Sequence, residues 1–292
     1  MDQPTASKCS NLFFRYMADH WGYLLTDNMR FWLPYLEGFA ESMRLKLLAL
    51  GCDDFPEPGS FRCFGFLDNT LNMSCRPGGG PTQPGVDAPR NDPLLQRAFY
   101  NGWKKGHGLK WQTCTLPNGM DFHAWGPCSL RHNDLWTLRE SALSARLQGL
   151  FDEWRMEREA RGEYFPEWMR TFCLYGDSAY DNIANEFVQC RQYVFRDDPP
   201  EERDRRTRRN VCMSSCRETI EWNYGDNQRF FSYIDYKKKL PMRKIPLGDI
   251  FLCAMIMRNA MVAMRGNNTS LFFNYLFPHN FFETWVAAGP RM

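Results

Sequence analysis

The sequence predicts an α/β protein: a mixed sheet with helices on its faces, preceded by a helical segment. Three observations lead there. Short apolar runs at 61–67, 109–116, 120–125 and 171–176 have the composition of strands, rich in Phe, Trp, Thr and Cys. The second and third runs flank Pro117-Asn118-Gly119, and an Asn-Gly step between two such runs is a strong hairpin signal. Longer stretches with apolar residues at helical spacing lie between and around the runs, and this order of elements suits helices packed on a mixed sheet.

The elements follow in chain order. In 11–50, Leu12, Tyr16, Trp32, Leu36, Met43 and Leu47 fall at helical spacings, and Gly51 with DDFPEPGS (53–60) ends that part. FRCFGFL (61–67) reads as a strand running into Asp68. RPGGGPTQPGVDAPRNDP (76–93) is a Gly- and Pro-dense loop with little to bury, expected to be poorly ordered. After the hairpin, Leu135, Leu138, Ala142, Leu143, Leu147 and Leu150 mark a helix over 135–150, with Asn133 or Asp134 placed to cap it. A charged helical stretch continues to about Glu163, and the strand 171–176 follows. RDDPPEERDRRTRRN (196–210) reads as a solvated or mobile loop. Residues 211–234 read as a helix, Lys237-Lys238-Lys239 and Arg243-Lys244 as a basic segment, and 247–264 as a last hydrophobic helix. The chain divides into an N-terminal helical segment (1–60), a sheet domain (61–265) and a tail (266–292) packed on that domain or extending it.

Composition narrows the class. With 292 residues and 43% hydrophobic content the chain can bury a sizeable core. Lys and Arg total 36 against 34 Asp and Glu, so the net charge of +2 says nothing about partners and only local clusters can. The eleven cysteines include no CxxC pair, Cys212 and Cys216 being the closest, which reads as free thiols in a reducing compartment. MDQPTASKCS lacks the pattern of a secretory leader, so the sequons at Asn72 and Asn267 carry no glycosylation reading. Arg258 and Arg265 interrupt the best apolar window, so no membrane span is expected.

The chemistry is concentrated where strands end. Asp68 and Asp177 each follow an apolar run, and ligands of open α/β sheets gather beyond the carboxyl ends of strands. Two carboxylates brought together there repel each other unless a cation lies between them, and oxygen ligands of this kind suit Mg2+ or Mn2+. In CRETIEWNYG (216–225), Arg217 and Glu221 are four apart on one helix face, so Glu221 can complete a three-carboxylate cluster with Arg217 orienting it or a phosphate. Taken singly, each acid has a plainer role: Asp68 or Asp177 capping a turn, Glu221 pairing with Arg217 in solvent. Asp134 is read as a helix cap rather than a ligand, and His123 as a packing residue.

Several segments, in order, resemble the catalytic domain of Harbinger-type DDE transposases, a group of DDE superfamily endonucleases. They are GFLDNT (65–70), RP at 76–77, FYNGWKKGHGLKWQ (99–112), LPNGMDFHAWGP (116–127), the Asp134 turn, YGDSAY (175–180) and NVCMSSCRETIEWNYG (210–225). The resemblance covers about 61–265. It implies an RNase H-like fold and a metal-dependent nuclease that cuts DNA with two divalent ions, Mg2+ or Mn2+, held by the triad Asp68, Asp177 and Glu221. It implies DNA as the partner, contacted by Lys104, Lys105, His107, Lys110, Arg217, Lys237, Lys238 and Lys239, with a further basic run at 203–209. It also implies a nuclear location, leaves oligomerisation open, and makes room for a separate DNA-reading protein, since 1–60 carries no helix-turn-helix signature. The sequence departs from the family at Asn69, where Gly is usual, which admits a domesticated, non-cleaving DNA- or protein-binding module on the same fold. A two-carboxylate glycoside hydrolase is the reading from outside this class, and the basic loops and the helix-borne third acid argue against it.

Overall fold

The computed structural model describes residues 3–77, 93–166, 169, 171–180, 187–234 and 245–288. Most of the loop 76–93 and all of Lys237, Lys238 and Lys239 lie outside the described residues.

The centre of the fold is β1 (Cys63–Ser74). Its first half is an unbroken apolar run because both of its faces are covered. β3 (Gly106–Thr115) pairs antiparallel with it, Phe66 opposite Thr115 and Ser74 opposite His107. On the outer edge of β3 lie the short β2 (Tyr100–Asn101) and the longer β4 (Asp121–Ser129). On the other side of β1, β5 (Cys173–Tyr175) runs parallel, and β6 (Val188–Gln189) runs parallel to β5. The result is a six-stranded mixed sheet. The Asn-Gly step does form the β3–β4 connection: Leu116 N–H bonds to Met120 O, Asn118 Oδ1 accepts from Met120 N, and Gly119 takes φ +85. A side chain at Gly119 would also collide with Asn267.

Ten α-helices surround the sheet among the described residues: α1 (Gln3–Trp21), α2 (Tyr23–Thr26), α3 (Leu36–Ala49), α4 (Pro93–Phe99), α5 (Asp134–Glu140), α6 (Leu143–Ala160), α7 (Pro200–Phe230), α8 (Leu247–Arg265), α9 (Asn268–Phe272) and α10 (Phe281–Ala287). The two faces of the sheet divide the core, the alternation of β1 being shifted by an irregularity in its pairing with β5 between Cys63 and Gly65. Cys63 and Phe66 of β1 join Cys173, Cys216, Ile220 and Met43 in a cluster beneath α7 and α3. Phe64 and Leu67 belong to the larger cluster with Leu24, Trp32, Phe122, Leu147 and Trp285. That cluster draws on the N-terminal helices, the sheet and α10 together, so side chains from 1–60, 61–265 and 266–292 share one core. All eleven cysteines carry free thiols.

Three elements differ from their sequence reading. β1 does not stop before Asp68 but runs to Ser74, held there by β3. The helix expected over 135–150 is two helices, because Ala142 takes φ +49 between them. The charged run 196–210 is mostly helix: α7 begins at Pro200, a residue pre-set for a first helical turn. Glu201 and Glu202 favour that turn electrostatically, and Glu202 bonds Arg205 and Arg206 three and four residues on. Arg205 also reaches Asp54 at 2.8 Å, tying the start of α7 to the segment before β1. By length and hydropathy α8 passes for a membrane span, yet 61% of that window is buried within the fold. Its Arg258 is paired inside with Asp121.

Candidate active site

The parallel pairing of β1 with β5 ends at Phe66 and Tyr175. Asp68 and Asp177 each lie two residues further on, so adjacent strands deliver two acids to the same place in the sheet. Gly176 precedes Asp177 for a steric reason: a Cβ there would stand 2.5 Å from the ring of Tyr180. Asp177 Oδ1 accepts from Ala179 N at 2.8 Å and so starts the short turn Ser178–Tyr180. The plain capping role and proximity to the second acid therefore coexist at Asp177.

Asp68 faces α7. Its Oδ1 accepts from Asn69 N at 2.7 Å, and its Oδ2 accepts from Arg217 Nη1 at 3.2 Å. Arg217 Nη2 stands 3.9 Å from Glu221 Oε1, so one guanidinium links the first and third candidate acids. The Asp68 side chain is 17% exposed, and its carboxyl is raised to about 6. Burial is the main cause; the Asn69 amide and Arg217 oppose it, while the charges of Asp177 and Asp134 add to it. Glu221 is 61% exposed. Glu218, one position round the helix from Arg217, faces solvent.

Asn69 points to the other side of β1 and does not crowd Asp68. Its Nδ2 donates to Tyr180 Oη at 3.0 Å, and its Oδ1 accepts from Thr137 of α5 at 3.2 Å. It thereby ties β1 to the turn after Asp177. The Tyr180 hydroxyl is held well above its usual pKa, chiefly by burial and then by the charges of Asp134, Asp68 and Asp177. Tyr224 of α7, bonded to Thr113 at 2.6 Å, is raised by burial and by Asp68. Two protonated phenols thus stand near the acids. YGDSAY contained Tyr180 as a signal; nothing in the sequence marked Thr113 as the partner of Tyr224.

Asp134 is the first residue of α5, and Asn133 is its cap, accepting from Trp136 N at 2.8 Å. Asp134 instead bonds Lys110 Nζ at 2.8 Å, and the same ammonium donates to His132 O at 2.6 Å. Lys110 is buried by these contacts, whereas Lys104 and Lys105 stand exposed on the turn before β3. His107 is half-buried beside Tyr100, their ring centroids 5.2 Å apart. His123 is fully buried, and burial lowers its pKa to about 3, so it stays neutral inside the fold. In the run 203–209, Arg205, Arg206 and Arg209 pair with acids.

The donor chemistry suits a hard divalent cation, since Asp68 and Asp177 are neighbouring carboxylates whose repulsion Arg217 offsets only in part. Among the described residues, however, no three His, Cys, Asp or Glu side chains are gathered closely enough to hold a metal ion. The guanidinium of Arg217 stands between Asp68 and Glu221. Compared with protein-family models, curated proteins and solved structures, the chain matches none of them.

Proposed function

We propose that this chain is a metal-dependent DNA nuclease of the DDE type, built on an RNase H-like fold. The observation that carries the reading is the register of β1 and β5, which sets Asp68 and Asp177 side by side with Glu221 reached through Arg217. The sheet order is compatible with that fold: an antiparallel β1–β3–β4 set continued by parallel β5 and β6. Asp68, Asp177 and Glu221 would hold the divalent ions, Mg2+ or Mn2+. When bound, such ions activate the attacking water or hydroxyl and stabilise the leaving oxygen.

The chain's own residues have separable parts in this reading. Asp68 from within β1 and Asp177 from just beyond the end of β5 supply the negative charge. Arg217 keeps Asp68 ionised at neutral pH, and on substrate binding its guanidinium is placed to turn from Glu221 toward a phosphate, which it recognises in forked geometry. The exposed Glu221 has the rotamer freedom to follow. Asn69 and Tyr180 hold Asp177's turn against β1. Lys104 and Lys105 meet the backbone phosphates, so binding weakens steeply with salt.

One observation favours a second reading. Arg217 already pairs with Asp68 and reaches Glu221, as it would in a non-cleaving binding module that has dispensed with metal. A plasmid-nicking assay separates the two. With Mg2+ or Mn2+ the wild type should cut, and Asp177→Ala should abolish cutting while leaving DNA binding nearly unchanged. Equal cutting by both proteins would refute the triad; binding without cutting by either would leave the module.

A further inference from the structure

A cavity of about 430 Å3 opens between the β2–β3 turn and the start of α5. Its size lies within the range of small-ligand pockets, roughly 300–1,000 Å3. Trp103 stands at its rim, 86% exposed, more than any other large apolar side chain among the described residues. Leaving an indole this bare in water forgoes the burial that usually keeps Trp inside.

The turn that carries Trp103 is held in place rather than loosely attached. Asn101 Oδ1 accepts from Lys104 N at 2.9 Å, and Asn101 Nδ2 donates to Leu130 O at 2.8 Å. Lys105 takes φ +49, a left-handed conformation that a non-glycine residue adopts only when its surroundings impose it. Trp103 is therefore presented at a fixed distance from the segment 130–134. That segment is itself fixed from below by Lys110, and its His132 ring stacks on Trp136 at 3.5 Å. His132 is kept neutral by burial and by the neighbouring Arg131 and Lys110 charges. Arg131 lines the cavity and is exposed, as are Lys104 and Lys105 beside it.

The cavity also reaches the candidate active site. Ala179, two residues after Asp177, lines it, and so does Asp134, whose charge is felt at Asp68. An exposed aromatic face, an exposed cation in the same lining, further cations next to the Trp in the chain and a neutral ring wall form the kind of arrangement by which proteins hold an unpaired base, since every base offers a π-face.

We infer that this cavity is a subsite for one unpaired nucleotide of a DNA strand, its base stacked on Trp103 and its phosphate met by Arg131 and Lys104 or Lys105. The inference rests on the nucleic-acid reading above and adds the substrate form: DNA with an unpaired or frayed nucleotide beside the cut, in preference to a blunt duplex.

Binding alone tests it, in EDTA, so that cleavage does not enter. Fluorescence anisotropy would compare wild type, Trp103→Ala and Trp103→Phe on a labelled dT oligonucleotide, the same strand with one abasic position, and a blunt duplex. Trp103→Ala should lower the ratio of single-strand to duplex affinity about ten- to a hundred-fold, with Trp103→Phe recovering most of it. The abasic position should weaken wild type but not Trp103→Ala. Because Trp103 is exposed, its replacement should leave the thermal midpoint unchanged. An unchanged ratio, equal sensitivity of wild type and Trp103→Ala to the abasic position, or tighter binding of an RNA strand than of DNA would each overturn the assignment. Failure of the nuclease reading shows separately, as binding through Trp103 without cutting in Mn2+.

Discussion

Two aspartate–arginine pairs face the α7–α8 side of the sheet, and they are built to different ends. Asp121 of β4 and Arg258 of α8 are fully buried, 2.6 Å apart. Thr115 Oγ1 donates to Asp121 Oδ1 at 2.5 Å, Arg258 Nη1 donates to Gly119 O at 2.8 Å, and Asn259 bonds the Asp121 backbone through both its amide atoms. Only Arg258 Nε lacks a partner. The Asp68–Arg217 pair is longer, at 3.2 Å, its side chains 17% and 22% exposed, and apart from the Asn69 amide it is surrounded by further acids. The first pair is closed and holds the β3–β4 hairpin against α8. The second carries charge that its surroundings compensate incompletely, which is the usual condition of a site that waits for a ligand.

The largest effect is expected at the closed pair. Arg258→Met should cost about 3–5 kcal/mol in urea unfolding at pH 7, because Asp121 would be left charged and buried with only Thr115 and Asn259 around it. Asp121→Asn added to Arg258→Met should regain a large part of that loss, since it removes the stranded charge. A cost below about 1 kcal/mol for the single variant would show that water reaches the pair and that the contrast drawn here is false.

At the open pair the sign reverses. Asp68 titrates at about 6 in the folded protein and near ~3.9 when unfolded. Between these values the folded state holds more protons, so stability falls as pH rises through that window. The penalty is absent below about pH 4 and complete above about pH 6. Asp68→Asn has no such titration. It should therefore stabilise the protein by about 1–3 kcal/mol at pH 8, the lower figure applying if Arg217 suffers from losing its partner, and by nothing at pH 4. Unfolding curves at pH 4, 6 and 8 measure this. A variant that is less stable than wild type at pH 8 would mean that Arg217 compensates Asp68 fully.

Metal should act on the same deficit. A saturating excess of Mn2+, about ten times its dissociation constant, stabilises the folded state by about 1.4 kcal/mol, or about 2–6 °C for a protein of this size. Wild type should show that rise in thermal midpoint and Asp68→Asn should not. Equal rises would place the metal elsewhere.

These contrasts were unequally legible in the sequence. Asp68 and Asp177 were visible because an apolar run that meets a carboxylate is physically costly. The Asn-Gly hairpin and the cap at Asn133 were visible because local chemistry alone specifies them. Asp121 and Arg258 gave no such signal: their meeting depends on how α8 lies against β4, across 137 steps of chain. The helical start of α7 was hidden by Pro199-Pro200 and by charge density that also marks loops; its stabilising pairs, Glu202 with Arg205 and Arg206, become meaningful only once helical spacing is granted. Arg217 beside Glu221 was legible from spacing, but its bond to Asp68, the link that decides the electrostatics of the site, was not.

The smallest expected effect falls on Glu221, and it sharpens the comparison most finely. Its carboxylate is 3.9 Å from Arg217 and 61% exposed, the geometry of a solvent-screened contact. Such contacts contribute about 0–1 kcal/mol, and surface substitutions usually stay within about 0.5 kcal/mol. Glu221→Gln should thus leave unfolding nearly unchanged. If Glu221 is nonetheless the third ligand, the same variant should lose part of the Mn2+-dependent rise in thermal midpoint, because a neutral amide oxygen is a weaker ligand for a hard cation than a carboxylate. Glu218→Gln, one position round α7 and facing solvent, is the control. A Mn2+ response that drops in Glu221→Gln and holds in Glu218→Gln assigns the third ligand without reference to cleavage. A response unchanged in both removes Glu221 from the site and leaves Asp68 and Asp177 to hold any metal, with Arg217 their permanent neighbour.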